Sequence, residues 1–456
     1  MPGMRFGRFI RFLALAAVAA VPTACAAAPA PPATSEGAAP TQTPAVRAEL
    51  VSVPLTVPDE MREGELEQAR TVLVPRGWSM SVIARTGNAR LMAWTPDGRL
   101  LVSRPMHGAV DILTPNGAGP ATSATLLEGM EEPHGLAFDG STLYVAESSR
   151  INAYDYADGR VTNRRVLVDG LPNARTAGEG GQYGHPLKTV VVGPDRAIYF
   201  SVASNGNASP EDREKNPERA AIYRIPPGGG APEVFARGVR NGTGLAVAPD
   251  GAVWTAVNHR DNIQYPYDTP YGDDQSARRG AVIQAYVNDH PAEPLAKLTP
   301  GRELGWPYCN PDPDVEPGVA GTALDYSDMR FVADVETNPD GTKMDCAALA
   351  PVEQGMPAHA APLGMAFVTL PAPFGEGALI GLNGSWNREP PLAPEVAFFP
   401  YLDGKMGDQV TLVSGFQLPD GKRWGRPVAA TVGPDGAVYI TDASAPAVYR
   451  LAPPGI

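Results

Sequence analysis

His134, His185, Arg240 with Asn241, His359 and Arg426 are the side chains in this sequence best suited to chemistry, because each stands just before a recurring apolar phrase. Imidazole titrates near working pH and can take a proton from a reacting hydroxyl. Guanidinium is planar and permanently charged, and binds carboxylates bidentately. A site that combines the two can bind an anionic ligand and move a proton beside it. A single histidine in such a place would more often cap a strand; similar offsets in five repeats shift that balance.

The phrase that must position them is a small apolar strand, a Pro-Asp-Gly type turn and a second apolar strand. Its copies are Met92-Ala-Trp-Thr-Pro-Asp-Gly-Arg-Leu-Leu-Val-Ser103, Gly135 to Ala146, Thr189 to Ser201, Gly244 to Thr255, a degenerate copy over Gly364 to Leu382, and Val428 to Thr441. Proline presets the first turn dihedral, aspartate hydrogen-bonds locally and glycine supplies positive φ, so each copy is a hairpin. Third strands such as Ala109 to Leu113, Ala221 to Ile225 and Ala447 to Leu451 follow several of them. A unit of three or four strands cannot cover its own faces, and radial stacking of six units does so. The expected fold is therefore all-β, a six-bladed β-propeller over residues 74–456, against a β-sandwich or an open repeat array. The stretch 258–360 is longer than a blade needs and reads as an insertion on the top face, where long loops carry function.

Residues 1–25 read as an export signal: Arg5, Arg8 and Arg11 precede the apolar run Phe12 to Val21, which is too short to span a bilayer. Cys25 follows in Val21-Pro22-Thr23-Ala24-Cys25, similar to a bacterial lipoprotein box, so lipidation of Cys25 and ordinary cleavage nearby are both open. A membrane enters only through such an anchor. Residues 26–73 read as an Ala/Pro-rich linker ending in one short helix. An oxidising compartment predicts a disulfide between Cys309 and Cys346 rather than two free thiols. Loss of the three signal arginines takes the formal charge from −13 to −16, which argues against nucleic acid or an anionic membrane surface as a general partner. No His/Cys spacing for zinc, phosphate loop or dinucleotide fingerprint is present.

Gly184-His185 before Val-Val-Val-Gly-Pro-Asp, Ser201 to Asn207, Gly238-Val-Arg-Asn-Gly-Thr-Gly-Leu245, Gly305-Trp-Pro-Tyr-Cys309, Pro357-Ala-His-Ala-Ala-Pro-Leu-Gly364, Gly384-Ser-Trp-Asn-Arg388 and Gly425-Arg-Pro-Val428 carry a resemblance. Together, over about residues 75–453, they resemble the sorbosone/glucose dehydrogenases that use pyrroloquinoline quinone. The resemblance implies a six-bladed propeller that binds the quinone over its channel with Ca2+ beside it. It also implies oxidation of a sugar or sugar aldehyde and an electron acceptor of unspecified kind. His185 matches the family's catalytic histidine and is the expected base. Arg240, Arg426, Arg104 and Arg388 are expected around the quinone, with Asn241 on a quinone or substrate oxygen, His359 at the site and Trp386 as an apolar wall. Backbone carbonyls of Asn258 and His259 are the expected calcium ligands. Gly184 and Asn387 depart from the soluble glucose dehydrogenases, which carry an acidic residue and a lysine there; the first predicts a less firmly oriented His185. The Trp-Asn-Arg wording favours the sorbosone type. A calcium-dependent lactonase-like propeller hydrolase and a non-catalytic glycan- or protein-binding propeller are the competing readings.

Overall fold

The computed structural model describes residues 46–173, 175, 176, 184–273 and 278–456. The signal segment, Cys25 and residues 26–45 of the linker lie outside the described residues.

Six sheets form the predicted blades, antiparallel except where Arg302–Glu303 pairs parallel with Glu233–Arg237. Their innermost strands are Met92–Trp94, Gly135–Asp139, Val190–Val192, Gly244–Val247, Pro362–Leu370 and Pro427–Val432. Each of these strands touches the next, and the last touches the first, so the ring is closed. Together they line a central channel of about 490 Å³. Glycine begins two of them for a steric reason: a Cβ on Gly135 would lie 2.5 Å from the backbone nitrogen of Val190, and one on Gly244 2.8 Å from the carbonyl of Leu363. Aromatic side chains fill the wedges between blades, as where Trp94 meets Tyr439 edge-on at 4.9 Å and Trp254 meets Tyr401 at 5.9 Å.

Two expectations change. Residues 46–73 do not all behave as a linker with a helix. Leu50–Pro54 pairs antiparallel with Thr71–Pro75, and two 3-10 turns, Asp59–Met61 and Gly64–Leu66, join them. Leu55, Val57, Met61 and Leu66 are buried in the propeller's apolar core, and that burial outweighs the weak local propensity. Ser79–Arg85 then joins the last blade beside Ala447–Ala452, so strands from opposite ends of the repeat region close the ring. The second correction is the insertion 258–360, which is not confined to the top face. It supplies the fourth blade's strand Glu293–Leu298, and Val352–Met356, Ser327–Ala333 and Cys309–Asp312 extend the same sheet outward. Cys309 and Cys346 are bonded within it, as predicted.

Candidate active site

Every inner strand begins at the same end of the channel, so the loops before them and after their partner strands meet at one mouth. His185 precedes the third inner strand, Arg240 and Asn241 the fourth, and Arg426 the sixth; Asn258 follows the second strand of blade four. His185, Arg240, Asn258, Asp261, His359, Ala361 and Trp386 line a single cavity of about 220 Å³ there. Five of these seven are predicted site residues.

His185 is held by blade three alone. Its Nδ1 lies 3.0 Å from the carbonyl oxygen of Ser204 and 3.1 Å from the Ser204 hydroxyl, which itself donates to Gly206. Both partners accept, so Nδ1 carries the hydrogen and Nε2 presents its lone pair. Nε2 has no partner among the described residues. Burial, and next the charge of Arg240, push the imidazole down to about 3, so it stays neutral and its Nε2 lone pair stays unprotonated. The looser histidine expected from Gly184 is thus corrected: Ser204 does the orienting. A hydroxyl beyond the sequence neighbourhood of the histidine gave no signal.

Arg240 is 1% exposed and already saturated. It donates to the carbonyls of Asn258 at 3.2 Å and His259 at 2.5 Å, and to Asn207, and faces Asp261 at 3.7 Å. Asn207 ties the same loop by bonding Asp261 in both directions. The two carbonyls expected to hold calcium therefore cradle a guanidinium. As arranged they do not favour a divalent ion, since both oxygens already accept from Nη1 of a permanently charged guanidinium that would repel it. The His259 imidazole is buried with neither ring nitrogen bonded.

His359 closes the opposite wall, with Nε2 donating to the carbonyls of Val287 and His290 and Nδ1 turned to Asp261 at 3.6 Å. Trp386 is 59% exposed at the cavity edge, which excludes core packing for it and suits an aromatic cover. Asn241 is buried beside the cavity and accepts from Thr243. Three predicted arginines do not join the cavity lining: Arg104, Arg388 and Arg426. Arg104 is engaged by Asp111 at 3.0 Å and by the Gly87 carbonyl, because the third strand of its blade puts Asp111 within reach. Arg388 turns to the Ala358 carbonyl and Asp289.

The cations that lack carboxylates lie on the other side of the mouth. Arg426 donates through Nε to the Asn383 carbonyl, and Arg423 to the carbonyls of Ser385 and Leu392. Among the described residues Arg90 bonds nothing through its side chain, and its Nε is buried. None of the three forms an ion pair among the described residues. Burial first, then proximity to Arg426, drive Arg90 down to about 10 and lower Arg423, while burial lowers Arg426 itself. Partly buried guanidinium groups that repel one another suit a ligand carrying several carboxylates. Arg90 was legible: it precedes Met92 much as Arg426 precedes Val428, the offset used for the other blades.

A sequence family described as TrAA12-like matches residues 72–451. A curated relative, the pyrroloquinoline quinone-dependent pyranose dehydrogenase of Coprinopsis cinerea, is 26% identical over 330 residues, which is 66% of this chain and 41% of that protein. The chain thus spans about two fifths of the length of that relative. Among solved structures, the holo form of the pyranose dehydrogenase PQQ domain from Coprinopsis cinerea superposes with a TM-score of 0.66 at 20% identity, covering 83% of this chain and 96% of that one. A calcium structure of the Trichoderma reesei family AA12 enzyme gives 0.66 at 21%, covering 84% and 96%. These likenesses establish the shared propeller fold.

Proposed function

The chain belongs to the TrAA12-like family, and from that premise we propose that it oxidises a sugar or sugar aldehyde, of the sorbosone/aldose type, with pyrroloquinoline quinone bound at the channel mouth. One observation carries the reading: a neutral histidine with an open Nε2 faces the same mouth as three guanidinium groups that have no carboxylate partner. The site's residues fit the quinone. Arg90, Arg423 and Arg426 would hold its carboxylates, and Trp386 would cover its ring. When bound, the quinone supplies the hydride acceptor that the protein lacks.

The chain's own part is to orient and to move a proton. His185 Nε2 takes the hydroxyl proton of the carbon being oxidised, while Ser204 fixes the ring and accepts from the Nδ1 hydrogen. Arg240 keeps His185 neutral, and His359 and Asp261 shape the side on which the sugar hydroxyls would bind. Calcium is part of the proposal as a cofactor, at a position other than the occupied carbonyls of Asn258 and His259. Export, with Cys25 either lipidated or removed, is supported by the arginine-flanked apolar run and by the Cys309–Cys346 bond.

Titrating purified protein with pyrroloquinoline quinone, with and without Ca2+, and then scanning sugars with an artificial electron acceptor tests the proposal. Quinone-dependent turnover of an aldose or sugar aldehyde is expected. Lactone hydrolysis without quinone would replace the reading by a propeller hydrolase, and glycan binding with neither activity by a recognition module.

A further inference from the structure

Away from the cavity, His290, Asp312 and Asp314 place one potential ligand atom each within 4.8 Å of one another. The chain builds this cluster from two directions. The short helix Gln284–Asp289 ends at His290, and the strand Cys309–Asp312 delivers Asp312 and, two residues on, Asp314. All three are buried, at 1%, 2% and 5% exposure. Two carboxylates are therefore removed from water, and the arginine that reaches Asp312, Arg330, is itself half exposed. Beyond Arg330, the buried negative charge must be balanced by a proton on His290 Nε2 or by a bound cation.

The orientation of the donors is specific. His290 Nδ1 donates to the Tyr286 carbonyl at 2.9 Å, which turns Nε2 toward the carboxylates, and the Tyr286 ring stacks on the imidazole at 3.9 Å. Asp312 Oδ2 accepts from Arg330 at 3.0 Å and from the Tyr267 hydroxyl at 3.1 Å, while Oδ1 accepts from the Asp314 N–H at 3.1 Å and turns its other lone pair toward His290. Such outer partners are how proteins fix metal ligands. Nε2 lies 3.0 Å from Asp314 Oδ1 and 3.5 Å from Asp312 Oδ1. Donors about 2.1 Å from one ion are separated by about 3.0 Å in octahedral and about 3.4 Å in tetrahedral geometry. A proton on Nε2 would serve Asp314 Oδ1 and still leave Asp314 Oδ2, which is buried and has no partner.

We propose that His290 Nε2, Asp312 Oδ1 and the Asp314 carboxylate bind one divalent transition ion of the zinc or manganese class. The imidazole nitrogen in the donor set selects against calcium and magnesium. The ion braces the active site, because the His290 carbonyl accepts from His359 Nε2 at 3.0 Å and His359 lines the cavity. The site is independent of the quinone, so its test is as well.

Full-length protein is stripped with a chelator and titrated with Zn2+, Mn2+ or Ca2+ in the absence of quinone, following metal content and thermal unfolding. One equivalent of Zn2+ or Mn2+ should be retained through gel filtration and should raise Tm by roughly 5 °C at about 100-fold excess over Kd. Asp314→Asn should abolish both effects, and His290→Gln provides the same reading if the first variant does not fold. A wild-type protein that binds no transition ion and keeps its Tm overturns the proposal in favour of a proton-bridged ion cluster. An equal response to Ca2+, or an undiminished Zn2+ response in a folded variant, overturns it as well.

Discussion

The two arcs of the channel mouth differ in how their charges are satisfied. On the arc of blades three to five, Arg240 is wrapped by the carbonyls of Asn207, Asn258 and His259, and His185 by Ser204. On the arc that runs from the end of blade five through blade six to blade one, Arg423, Arg426 and Arg90 meet carbonyls or nothing. Residue type alone would rank these arginines together. Their partners separate a cation that builds the site from cations still able to receive an anion. Even the histidine follows the same logic, since the guanidinium beside it, together with burial, keeps it unprotonated.

Substitutions on each arc can break this contrast. The largest effect belongs to His185→Gln, which should lower turnover by roughly 10²-fold or more with quinone affinity nearly unchanged; steady-state kinetics beside a quinone titration checks it, and full activity would remove His185 as the base. Arg240→Met should destabilise the fold by about 3 kcal/mol, because two buried carbonyls and Asp261 lose their donor. Denaturant unfolding reads that loss, and a neutral result would mean the guanidinium is not structural. Arg426→Ala and Arg90→Ala should instead raise the quinone Kd by about tenfold each while costing little stability. If calorimetry shows the quinone binding of both variants unchanged, the open arc is not the carboxylate clamp.

The smallest effect is in pH. His185 is held at about 3 in the folded protein against an ordinary value near 6.5 in the unfolded chain. Between those values the unfolded chain takes up the proton and the folded one does not, so this group's contribution favours folding above about pH 6.5 and declines as pH falls toward 3. The same depression predicts no acid limb near 6.5 in kcat/KM. A limb there in the wild type that persists unchanged in a folded Arg240→Met variant would show that His185 titrates normally and that the arginine is not what suppresses it.

Local chemistry wrote much of this into the chain. Proline, aspartate and glycine at fixed places in an apolar phrase make a hairpin wherever they occur, so six hairpins, their radial stacking and the shared offsets of His185, Arg240 and Arg426 could be read in order. The Cys309–Cys346 pair was legible because an oxidising compartment leaves two cysteines few alternatives. Which partners those side chains meet was not local. Ser204 behind His185, the carbonyls that fill Arg240, Asp111 across from Arg104, and Ser79–Arg85 in the last blade all come from strands and loops brought together by ring closure. The grouping of His290 with Asp312 and Asp314 has the same origin. Hydrogen bonds and ion pairs act over a few ångströms, and only the closed ring decides which distant residues fall within that range.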